Sequence, residues 1–328
     1  MDTAKRMTVR ARSALFGMQE GGLLLVILLL GTVLTFCGGT VKVPKLQVNA
    51  QGERERVFTE VRGERVPVFE ERNKFLNAQN LTQLAKDTSF IGIMAVGATF
   101  IIIAGQIDLS VGAIYALASV VGAMVFRAFG PTGALANAAP HEALLLGITT
   151  CLVVATLCGV LNGAMVVALK VHPFIITLGT MAIFRGEAFV ITSGQSVGDF
   201  PEAFRNMIRW ETGGGLSIVP LIVLLAVVVV GTIYLTCLVP GRHIYAVGGN
   251  ELASRFSGIR VERIKLKVFI YSGLTAGVAA LLAIGYYGSA TSGDGQGYEL
   301  DVIAAAVVGG ASLSGGRGSA LGALLGAL

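Results

Sequence analysis

Residues 240–267 read PGRHIYAVGGNELASRFSGIRVERIKLK, a polar and basic island between two long apolar runs. The run before it, 216–239, and the run after it, 268–287, contain no charged residue. Each is long enough to cross a hydrocarbon core of about 30 Å as a helix. The island is therefore a loop at one face of a membrane. Its basic residues Arg242, Arg255, Arg260, Arg263, Lys265 and Lys267 are opposed only by Glu251 and Glu262. The positive-inside bias places that face in the cytoplasm.

A short helix is expected inside the loop. Asn250 suits an N-cap, Glu251 the first turn, and Gly258 the position just past the C-terminus. Leu252 and Phe256 stand four apart on one face with Ala253 alongside. These residues alone leave two readings open: a knob that docks into a groove on a soluble partner, or a linker lying flat on its own membrane domain.

Composition agrees with the membrane assignment. Of 328 residues, 54% are hydrophobic and only 14% charged, where soluble domains carry about 25% charged. The mean hydropathy is +0.74. The fold class is all-α, a polytopic transmembrane helical bundle. The 44 glycines suit close helix packing in lipid, where small residues let backbones approach. The net charge of +5 borders apolar spans and points to cytoplasmic loops and lipid, not to nucleic acid. Cys37, Cys151, Cys158 and Cys237 lie in or beside apolar spans without metal-ligand spacing, and His141, His172 and His243 do not cluster. No metal or other cofactor is expected.

Taken in order, residues 1–20 are basic and are expected in the cytoplasm, followed by a first membrane helix over 21–37 with no A-x-A-type cleavage site after it. Residues 42–80 are charged, mixed in sign and broken by Pro44 and Pro67, an expected extracytoplasmic insertion; the alternation over 54–69 predicts a small β-hairpin. Further spans are expected over 88–104, 111–126, 143–169, 174–192, 216–239 and 268–287, with Pro173 opening the fifth and a short helix after Pro201. An eighth is expected over 301–311 and a ninth from Ser319. That last apolar stretch reaches only Leu328, too short to cross, so the chain is expected to be cut there, out of about nine to ten spans.

Helix contacts are expected at the Gly-x-x-x-Gly pairs Gly159/Gly163 and Gly273/Gly277 and in the run Gly318/Gly322/Gly326. An internal echo relates Leu109-Ser110-x-Gly112-x-x-x-Ala116-Leu117 to Leu313-Ser314-x-Gly316-x-x-x-Ala320-Leu321. Residues 313–317, LSGGR, look like the signature peptide of ABC ATPases, LSGGQ. A phosphate-binding loop needs glycine before its lysine, and none of the lysines here follows one. The chain is not expected to be an enzyme. Asp108 is the only charge between Thr88 and Phe126. An acid beside a span is a functional candidate because burying it is costly; capping of the next helix by Asp108 or Ser110 is the favoured alternative. For Asn162, a bond between helices is favoured over lining a pathway.

Several stretches taken together resemble the permease subunits of bacterial monosaccharide ABC importers of the ribose, xylose and galactose type. They are Ile107-Asp108-Leu109-Ser110-Val111-Gly112, Gly159-Val-Leu-Asn162-Gly163, Pro173-Phe-Ile-Ile-Thr177-Leu-Gly179-Thr180-Met181, Ala246-Val-Gly248-Gly249-Asn250-Glu251-x-Ala253, and Gly297-Tyr298-Glu299-Leu300-Asp301 through Ser312 to Gly318. The resemblance runs from about residue 76 to 328 in one order; the charged 42–74 segment departs from it, as does His172, where the family more often has proline or asparagine. It implies a type II ABC importer permease in the bacterial inner membrane, paired with a second permease copy, identical or homologous, that completes the pathway. ATPase subunits would sit beneath and a periplasmic sugar-binding protein would deliver substrate. Gly248, Gly249, Asn250, Glu251, Leu252, Ala253, Arg255 and Phe256 would couple to the ATPase, and Asp108, Ser110, Gly112, Asn162, Thr177 and Thr180 would line the pathway or break its helices. The alternatives are an ion-gradient-driven secondary transporter, against which no paired carboxylate or histidine relay is visible in the sequence, and a membrane scaffold.

Overall fold

A computed structural model describes residues 21–48, 54–61, 64–212 and 216–328; the expected cytoplasmic segment 1–20 lies outside the described residues. The described residues fall into two compact units, 24–84 and the remainder from 85 onward with residues 21–23.

The smaller unit begins with the apolar helix α1 (Gly21–Cys37). Strands β1 (Thr40–Pro44), β2 (Leu46–Val48), β3 (Arg54–Arg56), β4 (Phe58–Val61), β5 (Glu64–Pro67) and β6 (Phe69–Asn73) follow. They pair antiparallel as β1 with β6, β2 with β3 and β4 with β5. The expected hairpin is thus β4–β5, with Phe58 opposite Pro67 and Val61 opposite Glu64, one arm of a branched ribbon whose three two-stranded ladders meet at Lys45, Val57 and Val68. Asn73 ties the ribbon to α1: its Nδ2 donates to the Thr35 carbonyl (2.6 Å), while its Oδ1 accepts from the N–H groups of Phe75 and Leu76 (2.9 and 2.7 Å).

The larger unit is a helical bundle. Among the described residues, six helices are long and apolar enough to cross a membrane: α2 (Ala78–Ile103), α3 (Val111–Ala128), α4 (Pro140–Leu169), α5 (Pro173–Thr192), α7 (Ile218–Cys237) and α10 (Val261–Tyr287). Between them stand α6 (Glu202–Ile208), α8 (Val239–Gly249) and α9 (Glu251–Phe256), and after them α11 (Tyr298–Val308) and α12 (Ala320–Ala327). Local chemistry sets the boundaries. Lys170 leaves α4 in the left-handed region (φ 54°), and Pro173 opens α5, whose first turn is capped by His172 Nδ1 accepting from the Phe174 N–H (3.3 Å).

The hairpins α2–α3, α4–α5 and α7–α10 all turn at one end of the bundle. The α2 terminus at Ile103 meets Gly248 and Gly316, and Lys170 shares a cavity wall with Glu251 and Lys265. At the other end α6 closes the bundle. Phe204 stacks on Phe126 with ring centroids 3.8 Å apart, and Arg209 Nε donates to the Tyr286 carbonyl (2.6 Å).

The most extensive packing is α4 on α10, and it runs along the predicted glycine pairs. A Cβ on Gly159 would stand 2.4 Å from the Phe269 carbonyl oxygen, and one on Gly273 would stand 2.4 Å from that of Ala155. Lipid offers no hydrophobic drive for helices to associate, so contact at backbone distance must supply the attraction. The run Gly318/Gly322/Gly326 serves the same purpose for α12, where Gly322 abuts Gly309 and Gly326 abuts Ala305 of α11.

One expectation is corrected here. The stretch read as an eighth span over 301–311 is α11, only 11 residues, or about 16 Å. It stops at Gly309 and at Gly310, where φ is +94°. The 240–267 loop holds the expected short helix as α9, and in addition α8 and the start of α10. α8 was hidden because its glycines, Gly241, Gly248 and Gly249, are poor helix formers.

Candidate functional site

The turning end of the bundle gathers the residues singled out from the sequence. α9 is built as the sequence implies: Asn250 Oδ1 accepts from the Ala253 N–H (2.9 Å), and the helix ends before Gly258 at φ +83°. An ion-pair network fixes it to the start of α10. Arg255 meets Glu262 at 2.6 Å and Glu251 at 3.6 Å, and Lys265 meets Glu251 at 2.9 Å. The hydrogen bond that Arg255 donates to the Glu262 carboxylate holds the guanidinium pKa above its ordinary value. With the charges engaged below, Leu252 and Phe256 are left outside at 63% and 83% exposure. Beside α9 a cavity of about 660 Å³ is lined by Gln106, Val166, Lys170, His172, Arg255 and Lys265 among others.

Gly248 and Gly249, directly before α9, form a backbone junction. A Cβ on Gly248 would fall 1.7 Å from the Ile103 carbonyl oxygen, and one on Gly315 would fall 2.5 Å from the Gly248 carbonyl oxygen. The Gly316 N–H donates to the Ile103 carbonyl (2.8 Å). Tyr245 Oη donates to the Gly318 carbonyl (2.7 Å), and burial pushes that hydroxyl up to about 12. The segment leading to α9 therefore touches both the end of α2 and the turn between α11 and α12. The LSGGR stretch finds its place as a turn against Gly248 and Gly249.

Beyond the break after α2 lies a buried polar cluster. Asp108 Oδ1 accepts from the Ser110 N–H (2.9 Å) and hydroxyl (2.6 Å), and Oδ2 accepts from the Ser272 hydroxyl (3.0 Å). Asn162 Nδ2 donates to Ser110 Oγ (2.7 Å). Asp108, Ser110, Asn162 and Ser272 are all buried, so α3, α4 and α10 are tied through one carboxylate. Ser110 occupies the N-cap position of α3, but its hydroxyl donates to Asp108 and accepts no helix N–H. Asn162 bonds between helices, as favoured. Thr177 Oγ1 accepts from the Leu109 N–H (3.1 Å), and Thr180 bonds within α5 to the Thr177 carbonyl (3.3 Å). Gly112 stands apart from this cluster, against the Gly295 carbonyl. Ser272 was missed from the sequence, since a serine within an apolar run gives no sign that a carboxylate is its partner.

Residues 80–328 match the family described as branched-chain amino acid transport system / permease component. The chain belongs to this permease family. It is 38% identical to the ribose import permease protein RbsC of Haemophilus influenzae over 77% of this chain and 76% of that one. It is likewise 38% identical to the D-allose transport system permease protein AlsC of Escherichia coli, over 77% and 74%. The xylose transport system permease protein XylH of E. coli is 33% identical over 77% of each chain. No solved structure matches. Family and helices together make this permease a multi-pass membrane protein.

Proposed function

We propose that this permease is the membrane subunit of an ATP-driven monosaccharide importer in a bacterial inner membrane. Sugar arrives from a periplasmic binding protein, and a separate ATPase subunit hydrolyses ATP at the turning end, which is cytoplasmic. A second permease copy completes the pathway. Residues 42–80 lie on the periplasmic side. The names of the relatives supply the sugar class, and the cations of 240–267, Lys170 and Arg317, all at that end or its turns, support the sidedness.

The observation that carries the reading is α9, which holds Leu252 and Phe256 away from the bundle on a capped, ion-paired scaffold. Large apolar side chains kept in water on a rigid support suit a groove on a partner protein. Gly248, Gly249, Asn250, Glu251, Ala253 and Arg255 shape that knob and join it to the helix breaks. Movement of α9 would reach the Ile103 and Gly316 backbones and from there the Asp108 cluster. Asp108, Ser110, Gly112, Asn162, Thr177 and Thr180 then serve as the mobile joint of the pathway.

The test is Phe256→Asp. Affinity for the ATPase subunit should fall about thirtyfold or more, as for a hot-spot aromatic, and ATP-dependent uptake in proteoliposomes should stop while the chain stays monodisperse in detergent. Uptake at the native rate would overturn the coupling role. Sugar transport by the chain alone without ATP would give the case to a secondary transporter.

A further inference from the structure

Arg185 lies about 18 Å along α5 from Pro173, inside a helix apolar enough to span a bilayer. A guanidinium at that depth is costly unless protein groups or water meet its charge. Its Nη1 donates to the carbonyls of Ser292 (2.8 Å) and Asp294 (2.6 Å), and its Nη2 to that of Gly295 (3.3 Å). All three acceptors belong to residues 288–297, the non-helical stretch between α10 and α11.

The stretch is gripped from other sides too. Ala290 exchanges backbone hydrogen bonds with Val197 (2.9 and 2.8 Å). The Asp294 carboxylate accepts from the Thr291 N–H (2.9 Å) and hydroxyl (2.6 Å). Gly295, at φ +65°, lies so close to Tyr115 that a Cβ would stand 2.7 Å from the ring. Tyr115 and Gly112 are on α3, so this irregular backbone sits between two spans, at membrane depth.

Non-helical backbone at that depth is tolerated only where it is buried in protein or lines water. Gly293 and Gln296 are exposed on this stretch, as are Glu187 on α5 and Asp301 in the first turn of α11. Carboxylates and an amide do not front hydrocarbon, so the exposed side borders the aqueous path.

We propose that Arg185 is a positioning residue for transport: its grip on three carbonyls pins residues 292–295 beside the path, and release of that grip frees the stretch to move. The proposal rests on the reading of the chain as a permease.

The test uses the full chain in detergent, without ATPase, so that it stands apart from the transport assay. With the native cysteines replaced, Gln296→Cys reports the stretch through its rate of reaction with a charged thiol reagent. In a parallel set, native Cys151, which is fully buried in the bundle, is the sole thiol and reports general unfolding. Arg185→Gln should speed labelling of the Gln296→Cys thiol about tenfold or more, the equivalent of losing one hydrogen bond to a charged group. Arg185→Lys should fall between, since an ammonium cannot span a forked set of acceptors, and Cys151 should stay unreactive throughout. Equal labelling with arginine, lysine and glutamine overturns the proposal, and so does Cys151 reacting in step with the reporter. If Arg185→Gln does not fold, the lysine variant alone decides. Labelling in the expected order by a chain that imports no sugar in proteoliposomes even when supplied with the ATPase subunit, the binding protein and ATP would keep the latch and sink the permease reading.

Discussion

α7 and α5 are exposed to a similar degree, with 28% and 22% of their apolar stretches buried, yet their mean hydropathies are 2.9 and 1.6. The outward residues of α7 are Ile222, Leu225, Val229, Val230 and Ile233, a surface suited to lipid tails. α5 presents Ile175, Leu178, Ile183 and Val190, but also Gly179, Gly186 and Glu187. No atom beyond chain neighbours and the helix's own backbone comes within 4 Å of a Cβ on Gly179 or Gly186. An exposed glutamate and unfilled glycines on a span have no use against hydrocarbon and make sense beside water or a second subunit. By contrast α2, at hydropathy 1.5 and 89% buried, is low because protein surrounds it. In a bilayer the most apolar helix is the one facing out, and an outward helix that is not very apolar marks the working surface.

The sharpest way to break this contrast is to move a charge. Val229→Asp on α7 should lower the ratio of inserted to uninserted helix about a hundredfold, from a cost of about 2.5–3.5 kcal/mol at a helix centre, as read in an insertion assay. Glu187→Leu on α5 should insert at least as well as the native chain and slow sugar uptake. Equal insertion of Val229→Asp and the native chain would remove the distinction between the two helices.

A smaller effect sharpens it through packing. Gly273→Ala, which forces a methyl toward the Ala155 carbonyl, should destabilise the bundle by about 1–3 kcal/mol and lower the thermal midpoint. Gly186→Ala meets open space and should leave that midpoint unchanged or slightly raised. A matching loss at both positions would mean that the exposed face of α5 is packed after all.

The smallest test compares the two faces of α5. Thr177→Val removes the acceptor of the part-buried Leu109 N–H and should cost about 1 kcal/mol, seen as a lower denaturation midpoint in detergent. Ile183→Ala, on the outward face at 55% exposure, should cost less than half of that.

Much of the architecture was legible because its signals are local. Long apolar runs marked the spans, Asn250 and Pro173 marked helix starts, and the paired glycines of α4 and α10 marked their contact. The candidate site was legible in part. Asp108, Ser110 and Asn162 do meet, and Phe256 does stand clear. Ser272 and Arg185 were not found, since their partners lie 164 and 107 or more residues away in the chain. α11 was misread because a hydropathy window measures apolarity and cannot tell a half-length helix entered from a buried loop from a span.

By itself the sequence determined a polytopic bundle, its family, the face carrying the cations and the helix at that face. The tertiary structure decided which interruptions of the helices touch each other, which serine completes the Asp108 cluster and what meets the charge of Arg185. The physical reason is that hydropathy, capping and glycine spacing act within a few turns of one helix. The satisfaction of a buried carboxylate or guanidinium is settled only when helices distant in sequence close around it.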